Sequence, residues 1–434
     1  MILKWRGKQY KFKPHSIEAG RDKTGVGTKV TINCNIYAMD TESVETAERY
    51  EPQCFQISSP FDGEELVYLP PQTYALRTFI EFFVEHYSWR EVESNKRCFM
   101  YCHNLIYDWG QLIKNYPELL SILRTGIGLD KDFELWNNEY YKVILKKGGL
   151  FTGNSPYFDI QIYFSKRLNF TIMFRDTFSF FPTSLDRLLK ELNLGVEKMT
   201  RQTDLGKRDY RIEEDSADKR EFEEYAKIDA KGTRLVAERI RDLHIHAHMQ
   251  RIRISAPSYA IYYLLHHMPE GVKLINGTDD ESIMQLIIDT YIGGRTGGIY
   301  HGQVENLFVF DFHSSYSASM VTLPSFTKTT KYIRITPSHI SYNDFLEIID
   351  TVHCVCRVSG IEHDSKYPCI LSPLNNKIVP VSGKFTNMPT TGVELCVGIK
   401  SGTIEITEIH ELVLIIDVDD PICYPFKDFV LSAY

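Results

Sequence analysis

No stretch of about 18 or more consecutive apolar residues occurs, so nothing in the chain reads as a membrane-spanning helix. The N-terminus also lacks the apolar core of a secretory signal, which predicts a soluble protein of the cytoplasm. No internal repeat or low-complexity tract is present, which excludes solenoids and fibres. Positive charge is not in excess either: 49 Lys and Arg face 57 Asp and Glu, a net charge of −8. That balance excludes a surface coated in positive potential but leaves room for one basic groove. Local basic stretches exist at Lys4, Arg6, Lys8, Lys11 and Lys13, and at Arg239, Arg241, Arg251 and Arg253; such runs are ordinarily solvated faces. The nine cysteines have no regular spacing, as expected of free thiols in a reducing compartment. Cys98 and Cys102 beside His103 look like half a zinc site, but no second half follows at ligand spacing.

What is present suits a globular chain of two or three domains: 434 residues, 43% apolar and 13% aromatic. Residues 28–39 alternate like a strand running into Asp40-Thr41-Glu42. A helix is predicted at 74–88, a buried strand at 97–102, and several strands over 140–175 with turns at Gly148-Gly149 and Asn154-Ser155-Pro156. A long amphipathic helix is predicted from about 217 to 250, with Phe222, Tyr225, Leu235, Val236, Ile240 and Leu243 on its apolar side. A further helix at 256–268 leads to Tyr291-Ile292-Gly293-Gly294 and a strand at 306–310; beyond 330 the pattern is mostly strand and turn. Boundaries are placed near 250 and 330, giving domains 1–250, 251–330 and 331–434.

Asp40 and Glu42 are two apart on a strand and therefore share one face. Carboxylates aimed at one point repel unless cations lie between them, the arrangement of a two-metal phosphodiester site. His103-Asn104-Leu105-Ile106-Tyr107-Asp108 follows an apolar strand and opens a helix, and Tyr225-Ala226-Lys227-Ile228-Asp229 lies within the long helix. Tyr225 and Asp229, four apart, project from the same helical face.

In that order, D-x-E, N-x-x-x-D and Y-x-x-x-D resemble the three exonuclease motifs of family B DNA polymerases, whose proofreading domain has an α/β, RNase H-like (DEDD) fold. The resemblance implies that Asp40, Glu42, Asp108 and Asp229 ligate two Mg²⁺ or Mn²⁺ ions, with Tyr225 positioning the attacking water. Ser43, Asn104 and Tyr107 match positions that hold the single-stranded 3′ end of DNA in the protein-primed branch. Thr177 and Phe178, within Arg175–Pro182, match its further single-strand-binding motif. The family's additional lysine is expected between about 186 and 190.

Asp311-Phe312-His313-Ser314-Ser315-Tyr316 follows the apolar segment VENLFVF. A carboxylate at a strand end, then small residues and an aromatic, suits metal-assisted nucleotidyl transfer. The segment is similar to the polymerase motif A, D-x-x-S-L-Y-P, with Ser315 for the Leu and Ser317 for the Pro. By that resemblance Asp311 is a catalytic metal ligand, and Phe312, Ser314, Ser315 and Tyr316 face the dNTP, the ring of Tyr316 excluding a 2′-hydroxyl. Tyr291, Gly293 and Gly294 match the Y-x-G-G motif that contacts template, its glycines allowing close backbone approach.

The branch is identified as the protein-primed one because the stretch before Asp40 is too short for the N-terminal domain of cellular relatives. Residues from about 330 to 424 fall where that branch inserts its terminal-protein-binding subdomain, and Phe426-Lys427-Asp428-Phe429 resembles the lead into the fingers. This gives an exonuclease domain, an α+β partial palm and a small β-rich insertion. The fingers motif B (K-x-x-x-N-S-x-Y-G) and motif C (D-T-D-S) do not occur; Asp417-Val418-Asp419-Asp420 has no fingers motif before it and Pro421 directly after. The leading expectation is a metal-dependent 3′→5′ exonuclease with half a polymerase site, acting on single-stranded ends and primer-template. Motifs B and C would come from a second polypeptide or a missing segment, with a terminal protein as a further partner. The alternatives are a stand-alone DEDD exonuclease and a non-catalytic replication interaction protein.

Overall fold

Strands rich in β-branched and aromatic residues dominate the first half of the chain and pair into one mixed sheet. The computed structural model describes residues 2–5, 8–11, 17–18, 31–45, 50–71, 73–94, 96–125, 129, 131–147, 156–164, 167–198, 208–211, 215–267, 273–274, 278, 280–291, 330–363, 368–374 and 377–418. The chain divides into two compact units, Asp22–Tyr263 on the one hand and Met1–Arg21 with Leu264–Tyr434 on the other. The first break thus falls near 263 rather than 250, and Met1–Arg21 leaves the domain expected to contain it. Its allegiance comes from strand pairing. β1 (Ile2–Trp5) and β2 (Lys8–Lys11) form a hairpin, and β3 (Ile17–Glu18) pairs with β12 (Lys273–Leu274). Local patterning cannot reveal a partner so distant along the chain.

Within residues 22–263 the strands are β4 (Asn35–Glu45), β5 (Tyr50–Ser59), β6 (Gly63–Tyr68), β7 (Arg97–Cys102), β8 (Phe133–Asn137), β9 (Tyr141–Leu145), β10 (Tyr157–Phe164) and β11 (Arg167–Asp176). Their order across the sheet is β6-β5-β4-β7-β11-β10-β9-β8. β7 runs parallel to both β4 and β11, and the other pairs are antiparallel. The helices are α1 (Ala75–Ser94), α2 (Leu105–Leu112), α3 (Pro117–Thr125), α4 (Leu185–Glu191), α5 (Ala217–His246) and α6 (Ala256–His267), the last crossing the boundary between units.

Period-two alternation sorts the central strands between two cores. Tyr37, Met39, Phe55 and Met100 pack with Phe79, Phe83 and Trp109 from α1 and α2. Ile36, Ala38, Phe99 and Tyr101 pack with Leu188 of α4 and Val236 and Ile240 of α5. A sheet covered on both faces explains why β7 is an unbroken apolar run from Cys98 to Cys102. Each fully buried Val, Ile or Phe contributes roughly 1.5–3 kcal/mol.

On α5 the buried stripe runs through Phe222, Tyr225, Ala226, Asp229, Ala230, Thr233, Val236, Ala237, Ile240 and His244. Leu243, expected on that face, is exposed, because the helical repeat delivers position 244 to the core instead. Gly232 lets α5 come close to α4: a Cβ there would lie 3.1 Å from Leu189 Cδ1.

The other unit holds α7 (Glu281–Thr290) and a four-stranded antiparallel sheet. Its strands are β13 (Lys331–Ile335), β14 (Cys354–Glu362), β17 (Gly383–Thr391) and β18 (Ile404–Ile416), in the order β13-β18-β14-β17. β15 (Leu371–Leu374) and β16 (Lys377–Pro380) make a separate hairpin. Two helices, α8 (Tyr342–Thr351) and α9 (Gly392–Lys400), each open on a capping box, Ser341 with Asp344 and Thr391 with Glu394. The region expected to be β-rich holds, among the described residues, six strands, and with them two helices that short apolar segments between turns did not distinguish from strands. Asp417 stands just after β18 in a left-handed conformation and pairs with Lys331 at 2.8 Å. Gly293, Gly294, Asp311, Phe312, Ser314, Ser315 and Tyr316, the turns at 148–149 and 154–155, the expected strand at 306–310 and the segment 426–429 lie outside the described residues.

Candidate active site

Strand β4 does not end at the acidic triplet, as the sequence suggested, but runs through it to Glu45, paired with β5 on one side. Its parallel pairing with β7 stops at Ala38. Asp40 and Glu42 therefore lie where the sheet opens beyond β7, on the face shared with Ile36 and Ala38, which is the face α5 covers. Asp229 reaches them from α5. Ligand oxygens of Asp40, Glu42 and Asp229 all lie within 4.8 Å of one another, a group that could hold a metal ion.

Thr41, between the two acids, serves the fourth carboxylate. Its backbone N–H and its hydroxyl both donate to Asp108 Oδ1, at 3.0 and 2.7 Å. Asp108 sits on the first turns of α2, is 1% exposed, and has no hydrogen-bond partner for Oδ2 among the described residues. Asp229 Oδ1 is likewise buried without one. Buried carboxylate oxygens without donors are costly unless a cation is shared among them, so these residues fit divalent metal.

The electrostatics point the same way. Burial pushes the Asp40 carboxyl well above its usual range, and the negative charges of Asp108, Glu42 and Asp229 add to this against the pull of Lys198. Burial, opposed by the two Thr41 hydrogen bonds, takes Asp108 up to about 8. Without a cation the cluster thus holds protons that metal would displace.

Sequence reasoning missed Lys198. Its Nζ donates to Asp229 Oδ2 at 2.7 Å and lies 5.5 Å from the centre of the Tyr225 ring. The lysine was expected between 186 and 190, but Lys190 pairs with Asp186 at 2.9 Å on the exposed face of α4. The signal that could have found Lys198 is Gly195, at a φ of 70°, which lets the chain turn after α4. Tyr225 is buried one turn before Asp229, and burial, with the Asp229 charge second, raises its hydroxyl pKa above the ordinary value.

Of the five strand-holding candidates, the fold brings two into direct contact: Ser43 Oγ and Tyr107 OH share a hydrogen bond of 2.9 Å, and Tyr107 is 46% exposed. Asn104 turns the chain from β7 into α2 with φ 81° and ψ 57°, a left-handed conformation that asparagine tolerates. Its backbone N–H donates to Asp176 Oδ1 at 3.0 Å. Thr177 is fully buried, donates to the Cys102 carbonyl at 3.2 Å and is hydrogen-bonded to His103 Nδ1 at 2.8 Å. Phe178 beside it is 40% exposed, its ring edge-on to His103 with centroids 5.8 Å apart. Cys98 and Cys102 are buried thiols in the sheet core. Tyr291 caps the end of α7 in the other unit and is exposed.

Among solved structures, Phi29 DNA polymerase in an orthorhombic crystal form is 16% identical with a TM-score of 0.53, covering 92% of this chain and 63% of that one. The same polymerase complexed with single-stranded DNA matches at 16% and 0.50, with the same coverage of both chains. Complexed with primer-template DNA and incoming nucleotide substrates it matches at 15% and 0.50, again with that coverage. The chain shares the fold of Phi29 DNA polymerase over 92% of its length. At this identity the likeness concerns fold alone, and the chain spans less than two thirds of the polymerase it matches. No protein-family model and no curated protein matches the sequence. No helix among the described residues is long and apolar enough to cross a membrane.

Proposed function

We propose that residues 22–263 form a metal-dependent 3′→5′ exonuclease of the RNase H-like type, acting on single-stranded DNA ends within the front part of a protein-primed family B DNA polymerase. The observation that carries this reading is the convergence of Asp40, Glu42 and Asp229, from opposite ends of the unit's sequence, to within 4.8 Å. Asp108, anchored on Thr41, would complete the ligand set for two ions, Mg²⁺ or Mn²⁺. Such ions supply a nucleophilic water at neutral pH and stabilise the departing 3′-oxygen.

The chain's own residues do the rest. Tyr225 orients the attacking water with its hydroxyl, kept protonated by burial. Lys198 stands beside Asp229, where its charge offsets negative charge gathering on the scissile phosphate. Ser43 and Tyr107, oriented by their shared hydrogen bond, hold the terminal nucleotide, and the exposed ring of Phe178 offers a stacking surface to an unpaired base. Thr177, buried as it is, serves by fixing His103 and the turn that carries Phe178. Lys198→Met is expected to lower the rate of degradation about 10- to 100-fold, with oligonucleotide affinity unchanged; equal rates would remove Lys198 from the mechanism.

For the polymerase half, Asp311 as metal ligand, Phe312, Ser314, Ser315 and Tyr316 around the dNTP, and Tyr291, Gly293 and Gly294 at the template remain part of the proposal on the motif resemblance alone. Residues 331–434 would be the terminal-protein-binding insertion. The test is an assay of labelled single-stranded and primer-template DNA with Mn²⁺, with and without a polypeptide bearing motifs B and C. Degradation by this chain alone, and extension only with the added polypeptide, is the expected result. Degradation with no extension under either condition would favour a stand-alone nuclease; absence of both activities together with absence of metal binding would favour an interaction protein.

A further inference from the structure

Asp176 ends β11, belongs to none of the ligand positions, and is nevertheless 4% exposed. The parallel register of β11 with β7 sets Asp176 opposite Cys102, alongside the turn that begins α2. Its Oδ1 accepts the backbone N–H of Asn104 at 3.0 Å and that of Phe178 at 2.9 Å. The backbone of Leu105 also bonds the carboxyl, offsetting part of the upward pull of burial on its pKa.

These bonds do a job that local sequence leaves undone. Asn104 occupies the N-cap of α2, but its left-handed backbone makes no side-chain cap bond. The free N–H groups at the start of α2 would otherwise lack an acceptor. Asp176 supplies one from a neighbouring strand, and its charge suits the positive end of the helix. The same carboxylate caps the 3-10 turn Thr177–Ser179. One side chain therefore closes two turn starts, and those turns carry Asn104 and Tyr107 on one side and Phe178 on the other.

We propose that Asp176 is a positioning residue that holds these two strand-gripping elements in a fixed spatial relation, so that an unpaired 3′ end is clasped between them. The inference rests on the single-strand-binding reading of the site and deepens it. Asp176 acts through the backbone amides of Asn104, Leu105 and Phe178, from which its carboxyl accepts. Its acceptor oxygen matters more than its charge, so asparagine, which keeps an oxygen in that place, should substitute for it.

The test compares the wild type with Asp176→Ala, Asp176→Ser and Asp176→Asn. Affinity for a labelled single-stranded oligothymidylate is read by anisotropy in EDTA, and the thermal shift produced by Mn²⁺ is read separately. Asp176→Ala is expected to weaken oligonucleotide binding about tenfold, equivalent to about 1.4 kcal/mol. Asp176→Asn should stay within about threefold of the wild type, with Asp176→Ser in between; the last carries the comparison if the alanine variant is insoluble. The Mn²⁺ shift should be the same in all.

Unchanged binding by Asp176→Ala would overturn the proposal, as would an asparagine variant as weak as the alanine one. So would loss of the Mn²⁺ shift along with binding, which would mean general collapse of the site. Wild-type protein that binds the oligonucleotide but does not degrade it with Mn²⁺ would defeat the nuclease reading instead, and the anisotropy would still decide the role of Asp176.

Discussion

Replacing Asp40 and Asp229 together by alanine is expected to lower Mn²⁺-dependent degradation of a single-stranded oligonucleotide at least about a thousandfold. The metal-free variant should nonetheless unfold at a temperature equal to or above that of the wild type. Both expectations follow from one arrangement. The acids lie within 4.8 Å of each other in a site that raises the pKa of Asp40 through burial and like charge. A fold that keeps such groups together does so against their repulsion, and that repulsion is relieved when two are removed. A variant that degrades DNA at the normal rate would sink the nuclease assignment. A variant that unfolds well below the wild type would show that the acids are structural, bound up in packing rather than poised for cations.

The second large effect joins pH to metal. Burial pushes the Asp108 carboxyl up to about 8, against 3.8 for the free side chain. Between those two values the folded protein holds a proton that the unfolded chain has lost, so stability falls as pH rises from about 4 to about 8. On the proposed reading Mn²⁺ would take the place of that proton, so binding would release protons below pH 8 and tighten as pH climbs. The increment in unfolding temperature produced by a fixed Mn²⁺ concentration is therefore expected to be several degrees larger at pH 8 than at pH 6. Calorimetry in two buffers of different ionisation enthalpy would measure the proton release directly. An increment that shrinks with rising pH would contradict the placement of Asp108 beside the cations.

The sequence disclosed the elements of the candidate site better than the connections between them. Asp40 and Glu42 were legible as a same-face pair because strand alternation is strictly local, and Tyr225 with Asp229 because helical spacing is too. The long helix came close to its observed span, since one apolar stripe follows it from end to end. The role of Thr41 was not legible, because it depends on Asp108 arriving from another element. Nor was that of Asp176, whose bond to the Asn104 N–H exists only once β11 lies alongside β7. Lys198 was not legible because it lies beyond the interval in which a lysine was expected, past a glycine turn, and meets Asp229 only in the folded chain. At the larger scale, the allegiance of Met1–Arg21 was hidden in the approach of β1 to α7 and in one short ladder, Ile17–Glu18 with Lys273–Leu274, which no periodicity announces.

That ladder has a consequence for how the two halves are joined. The chain leaves one unit shortly after Glu18 and re-enters it shortly before Lys273, so the segment between is spliced into its host like a cassette. Among the described residues, every strand pairing of the eight-stranded sheet is closed within that cassette, and none is shared across the splice. The strand ladders of that sheet thus form a closed set whose first and last members lie on the same side of the splice.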